Sequence, residues 1–179
     1  ARLLVGLQGL AGASAAVQNA WAYANERTQG SSSINPEKKA SIIEFPDVRR
    51  MLMHMKAVTE GLRALMYTTA WYIDMSNHGL EENREKYQDL LDLHIPICKA
   101  FGTDQGFDVA RIGIQILGGV GFTKHFPLEQ NIRDQKIGSI YEGTNGIQAL
   151  DLVGRKFTSK KGALIKVLEK ELCWFDNRS

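Results

Sequence analysis

The sequence predicts an all-α protein, an up-and-down helical bundle, and three observations carry that prediction. Apolar residues recur at three- and four-residue steps through several long stretches. No stretch sustains the alternation that marks a strand. Segments rich in Gly, Pro and Ser fall between the periodic stretches, where they join helices that lie antiparallel to their neighbours.

Composition narrows the function. At 179 residues, with 44% hydrophobic and 23% charged side chains, the chain can bury one substantial core. A formal charge of +2, spread along the sequence, gives no footing for nucleic acid. The two cysteines, Cys98 and Cys173, lack metal-ligand spacing and read as free thiols in a reducing compartment. His54, His78, His94 and His125 form no metal motif, so no metal site is expected.

The first helix is expected over residues 2–28, with Leu3, Leu7, Leu10, Ser14, Val17, Trp21 and Ala24 on its apolar face. Gly6, Gly9 and Gly12 thin one side for a close neighbour. Positions 3–25 carry no charge, but Gln8, Ser14, Gln18 and Asn19 suit a packed bundle helix better than an integral membrane segment. A sequence that starts at Ala1 with helical periodicity already running suggests a processed chain or part of a longer one.

"TQGSSSINPEKKA" reads as a polar linker. Pro46 and Asp47 then open a second helix whose stripe runs from Phe45 to Ile73 and ends near Asn77 and Gly79, roughly 50 Å at about 1.5 Å per residue. The methionines Met51, Met53, Met55 and Met66 read as packing along it. A third helix is expected from about Arg84 through Phe101 and on toward Ile116, kinked or joined at Pro96. Gly118, Gly119 and Gly121 make a bend, Phe126 to Ile137 a short helix, and Gly146 to Val153 a last one. The bundle is assigned to residues 1–155, with 156–179 as a partly helical extension.

Within "IGSIYEGTNGIQ" one carboxylate, Glu142, stands between an aromatic ring and a glycine. An apolar cavity there would raise its pKa toward that of a general base able to take a carbon-bound proton. On local sequence alone, a capping or flanking acid is the plainer reading. The "ILGGVGF" bend lacks the spacing and the strand setting of a dinucleotide fingerprint, although its glycines could expose backbone donors to a phosphate. Arg27 at a helix end reads first as solvated, and second as a contact for an anion.

Over about its first 155 residues the chain resembles the C-terminal helical domain of acyl-CoA dehydrogenases. The resemblance is most specific in "IQILGGVGFTKHFPLEQNIRDQKIGSIYEGTNGIQ" and looser in "VGLQGLAGASAAVQNAWAYANERTQG". It implies an FAD-dependent flavoprotein that oxidises an acyl-CoA thioester to the 2,3-enoyl product. Glu142 would remove the α-proton while the β-hydrogen leaves as hydride to the flavin.

By the same resemblance Arg27, Gln115, Gly118, Gly119 and Thr144 would contact FAD, several of them across a subunit interface. Tyr141, Gly143 and Arg2 would lie at the substrate. Gly146 stands where many family members carry a glutamine that contacts FAD, so Asn145 or another group is expected to replace it. The divergent linker and the added segment around residues 79–88 point to a subgroup of larger dehydrogenases.

The family's N-terminal helical domain and middle β-domain are expected elsewhere in a longer chain. The implied partners are acyl-CoA, an electron-transfer flavoprotein or another acceptor, and further copies in a homo-dimer or homo-tetramer. The implied location is cytoplasmic, or the mitochondrial matrix in a eukaryote. Two other readings stay open: an acyl-CoA oxidase, which shares base and flavin, and a non-catalytic scaffold or oligomerisation module.

Overall fold

The computed structural model describes residues 1–32 and 35–176. Three long helices make the bundle: α1 (Arg2–Glu26), α2 (Pro46–His78) and α3 (Glu81–Leu117). They are followed by α4 (Leu128–Lys136), α5 (Asn145–Leu150) and α6 (Ala163–Asp176). Pro46 sits in the first turn of α2, where its missing N–H costs nothing, and Asp47 complements the positive helix end.

The helix α1 is packed most extensively against α3, and the contact depends on absent side chains. A Cβ on Gly9 would lie 2.0 Å from the Gly102 carbonyl oxygen, and one on Gly6 would lie 2.4 Å from that of Cys98. Backbone therefore meets backbone. The main core joins Ala13, Ala16, Ala20 and Ala24 of α1 to Leu52 and Met55 of α2, Val109 and Ile116 of α3, and Leu128 of α4. A smaller cluster of Leu10, Leu62, Met66 and Cys98 continues it toward the start of α1.

This packing corrects the expected face of the first helix at two positions. Leu7 and Trp21 are exposed, whereas the small residues beside them are buried. Leu10, Val17 and Ala24 of the expected face are buried, and the close approach of α3 brings in Gly6, Gly9 and Gly12 in place of Leu7 and Trp21. Met53, expected to pack, is likewise exposed, while Met51, Met55 and Met66 are buried.

The polar linker is also corrected. It folds as an antiparallel hairpin, β1 (Thr28–Ser31) with β2 (Lys39–Ser41), paired Thr28 to Ser41 and Ser31 to Lys39 with an irregularity between. Ala40 and Ile42 are buried beneath it. A short turn of 3₁₀ helix, Ile42–Glu44, leads into α2 and is held by a capping box between Ser41 and Glu44. The predominantly helical architecture stands.

Pro96 neither divides nor ends α3, which is helical on both sides of it and buries the ring. Packing on both neighbouring long helices outweighs the loss of one backbone hydrogen bond. After α5 the chain continues for one π-helical stretch, Asp151–Lys156, before α6. The α6 helix is pinned to the beginning of α3 by Lys86–Glu171 at 2.9 Å. Among the described residues no helix is long and apolar enough to cross a membrane.

Candidate functional site

The predicted site residues fall into two groups at opposite ends of α1. At its C-terminal end Arg27, Gln115, Gly118 and Gly119 line one open groove of about 790 Å³, together with Tyr23 and hairpin residues Gln29 and Gly30. The end of α1 supplies Arg27, whose backbone carbonyl accepts from the Ile42 N–H at 2.8 Å and so fixes the hairpin beside it. The α3 C-terminus supplies Gln115. Gly118 ends that helix at φ 64°, a conformation that glycine takes without steric cost.

Both glycines face open space where a Cβ would stand. Among the described residues the side chains of Arg27 and Gln115 make no hydrogen bond or ion pair. The groove thus offers a cation, an amide and accessible backbone to a ligand.

At the other end lies the bend between α4 and α5. Glu142 is exposed there, with φ at 55°, in the left-handed region that side chains avoid. The apolar enclosure expected from its neighbours is not built within this chain. Nearby Ile140 and Ile147 are themselves exposed, so they form a rim instead of a cavity.

Several long-range bonds hold the bend. The Tyr141 hydroxyl donates to Gln8 Oε1 on α1. Thr144 caps α5, its hydroxyl accepting from the Ile147 N–H at 3.3 Å. Gly143, at φ 83°, has the Gln148 amide where a side chain would begin.

Asn145 is committed to α3. Its Oδ1 accepts from the fully buried Lys99 at 2.8 Å, and its Nδ2 reaches Thr103 at 3.0 Å and Asp104 at 2.8 Å. That set engages both ends of the amide, so Asn145 serves as a tie between helices. Burial pushes the Lys99 pKa down, opposed by the charge of Asp104.

Arg2 is also engaged within the chain. Its guanidinium meets Asp151 at 2.6 Å and Gln148 at 3.1 Å. Burial favours the protonated Asp151, but the Arg2 hydrogen bond and the charges of Arg155, Arg2 and Lys156 more than offset it and hold the carboxyl below its ordinary value. Gln148, Asp151 and Lys99 were not singled out in the sequence. Their partners are far away along the chain, and no local spacing announces them.

Arg2 and Arg27 are separated by the length of α1, about 37 Å at 1.5 Å per residue. The groove and the bend therefore do not form one site within a single chain.

The family described as "Acyl-CoA dehydrogenase, C-terminal domain" matches residues 1–157. The chain is 45% identical to a 3-methylmercaptopropionyl-CoA dehydrogenase of Ruegeria pomeroyi over 157 residues, covering 87% of this chain and 27% of that protein. It is 41% identical to a butyryl-CoA dehydrogenase of Syntrophomonas wolfei over 167 residues, covering 92% and 27%. The solved butyryl-CoA dehydrogenase of Megasphaera elsdenii superposes with a TM-score of 0.70 at 28% identity, over 86% of this chain and 35% of that one. The chain thus spans about a quarter of the length of these curated relatives. On the family match and these identities, the chain belongs to the acyl-CoA dehydrogenase family, of which it carries the C-terminal domain.

Proposed function

We propose that this chain is the C-terminal part of an FAD-dependent acyl-CoA dehydrogenase in which Glu142 is the base that removes the α-proton of the thioester. The observation that carries the reading is the Tyr141–Thr144 bend. It presents an exposed carboxylate in a left-handed conformation and secures the backbone around it from α1, α3 and α5. A base must be held in place before its substrate arrives, and that requires a braced backbone.

The groove residues fit FAD. Arg27 offers a cation to a phosphate, Gln115 an amide, and Gly118 and Gly119 backbone that a ligand can approach. FAD, when bound, supplies the hydride acceptor. Thr144 uses one acceptor lone pair on the cap and retains a hydroxyl proton to donate. Tyr141 and Gly143 border the carboxylate where an acyl thioester would lie.

The separation of bend and groove along α1 supports an assembly of at least two copies, each completing a site with the groove of another. We assign residues 1–155 to the family bundle and 156–179 to an extension, of which α6 packs on α3. An electron-transfer flavoprotein or another acceptor would take up the electrons, in the cytoplasm or the mitochondrial matrix.

The test is Glu142→Gln in the full-length protein, which preserves shape and removes the proton acceptor. Stopped-flow flavin reduction by saturating acyl-CoA is expected to slow at least about 100-fold, with FAD content and ligand affinity retained. Reduction within a few-fold of the unmodified rate rejects the assignment.

A further inference from the structure

We infer that Gln148 is a positioning residue for Glu142, its amide oriented by Arg2 and Asp151 and its N–H groups holding the carbonyls of the bend. The inference rests on Glu142 being the base.

Gln148 is only 2% exposed. Its Nε2 donates to the Gly143 carbonyl at 3.1 Å and reaches toward the Glu142 carbonyl at 3.5 Å. Its Oε1 accepts from Arg2 Nη1 at 3.1 Å. A glutamine amide can ordinarily face either way, but a guanidinium has no acceptor. The oxygen must therefore turn to Arg2, and both N–H groups are left for the bend.

Arg2 is fixed in turn by Asp151 at 2.6 Å, and the other oxygen of Asp151, which accepts no hydrogen bond among the described residues, forms an ion pair with Arg155 at 3.0 Å. The chain of bonds runs from Asp151 in the π-helical turn through Arg2 on α1 and Gln148 on α5 to the carbonyls of the bend.

The bend needs such a hold. Glu142 at φ 55° followed by Gly143 at φ 83° puts two successive residues in the left-handed region, and only the second is a glycine. A strained conformation at a non-glycine residue persists where its surroundings over-determine it. Bonds to the carbonyls on both sides of that junction oppose rotation of the peptide that would re-aim the Glu142 side chain. Arg2 thereby acts through Gln148, which differs from the substrate contact expected of it.

The test uses the full-length holoprotein and 3,3-dimethylbutanoyl-CoA, a thioester with α-hydrogens and no β-hydrogen. It cannot be dehydrogenated across the α and β carbons. In D₂O the base takes the α-proton, the electron pair stays on the thioester as an enolate, and a deuteron returns. NMR reads the exchange with no net redox change, and thioester affinity and melting temperature are measured alongside.

Gln148→Glu retains an acceptor for Arg2 and replaces the donors to the bend with an acceptor. Exchange is expected to fall about 10- to 100-fold, the scale of a misplaced reacting group, with affinity within about twofold. Glu142→Gln should be slower still, and the double variant no slower than Glu142→Gln alone, because a positioning residue has nothing left to position. If the Gln148→Glu holoprotein fails to accumulate, Asp151→Asn reads the same brace and is expected to slow exchange several-fold.

Exchange near the unmodified rate in whichever of these variants is measured, beside a slow Glu142→Gln, overturns the inference and leaves the base standing. A Glu142→Gln protein that exchanges at the unmodified rate overturns both. A Gln148 of structural importance only would lower the melting temperature without changing exchange per folded holoprotein, which also overturns the inference.

Discussion

The two ends of α1 spend their polar groups in opposite ways. Around Glu142, the side chains of Tyr141, Asn145, Gln148, Arg2 and Asp151 bond to one another, to neighbouring helices or to the backbone of the bend. Around Arg27, the groove keeps a guanidinium and an amide that are unengaged among the described residues, beside two glycines with open space in front of them. The carboxylate proposed as the base would be useful only in one orientation, and the structure near it is closed on itself. A ligand-binding groove needs groups whose hydrogen bonds are still to be made. The distribution of satisfied and unsatisfied polar groups thus fits the proposed division between positioning and binding.

The largest expected effect breaks the comparison altogether. Gly9 lies where α1 and α3 touch backbone to backbone, and the distance of 2.0 Å from its added Cβ to the Gly102 oxygen leaves no soft side chain to yield. Gly9→Ala should separate the helices and cost about 3 kcal/mol by overpacking, read by chemical denaturation. Both ends should suffer, since α1 and α3 frame both. A cost near zero would mean that the two helices can slide apart freely, and that the frame is less rigid than its packing implies.

A smaller change should loosen only the bend. Asp151 is 8% exposed and pairs with Arg2. Asp151→Asn removes the charge and is expected to cost about 1–3 kcal/mol. Faster hydrogen exchange should appear at the Gln148 amide and not at the amides of the hairpin. The pH dependence has the same origin. Since the folded-state pKa of Asp151 lies below its ordinary value of 3.8, its contribution is present above 3.8 and lost as pH falls through the folded value. The variant should therefore lose less stability than the unmodified chain as pH is lowered from about 5 through that range. Equal losses would remove Asp151 from the brace.

What was legible in the sequence follows the range of the interactions. The long helix from Pro46 could be read because its stripe and first-turn proline are local. Gln115, Gly118 and Gly119 lie close enough in sequence to be read as one segment, but only the family resemblance joined them to Arg27. The hairpin escaped because its strands have four and three residues, too few for alternation to register among serines and lysines. Leu7 and Trp21 stand outside the core of α1 because much of that core is glycine and alanine in close contact with α3, which apolar bulk does not reveal, while Leu10 and Val17 are buried as their spacing predicts. Gln148 lies inside the quoted motif yet looked ordinary. Its meaning depends on Arg2, 146 positions away.

The smallest effect should sharpen the comparison from the side of the groove. Glu44 accepts from the Ser41 N–H at 3.2 Å and from the Ser32 hydroxyl at 2.8 Å, so one carboxylate closes the capping box and ties the far end of β1 to the entry of α2. Gln29, Gly30, Ile42 and Phe45, which it holds in register, line the groove, and Glu44 itself is not among the lining residues. Glu44→Ala should cost about 1 kcal/mol, the usual worth of such a cap. In the full-length protein it should raise the dissociation constant for FAD by about fivefold, if most of that loss falls on the groove. The rate of flavin reduction in the molecules that retain FAD should stay unchanged, because nothing in this box touches the bend. Titration of the apoprotein with FAD gives the first quantity, and single-turnover reduction of the holoprotein the second. A variant that binds FAD normally but reduces it slowly would show the two ends of α1 to be coupled, and the division of labour between them would have to be withdrawn.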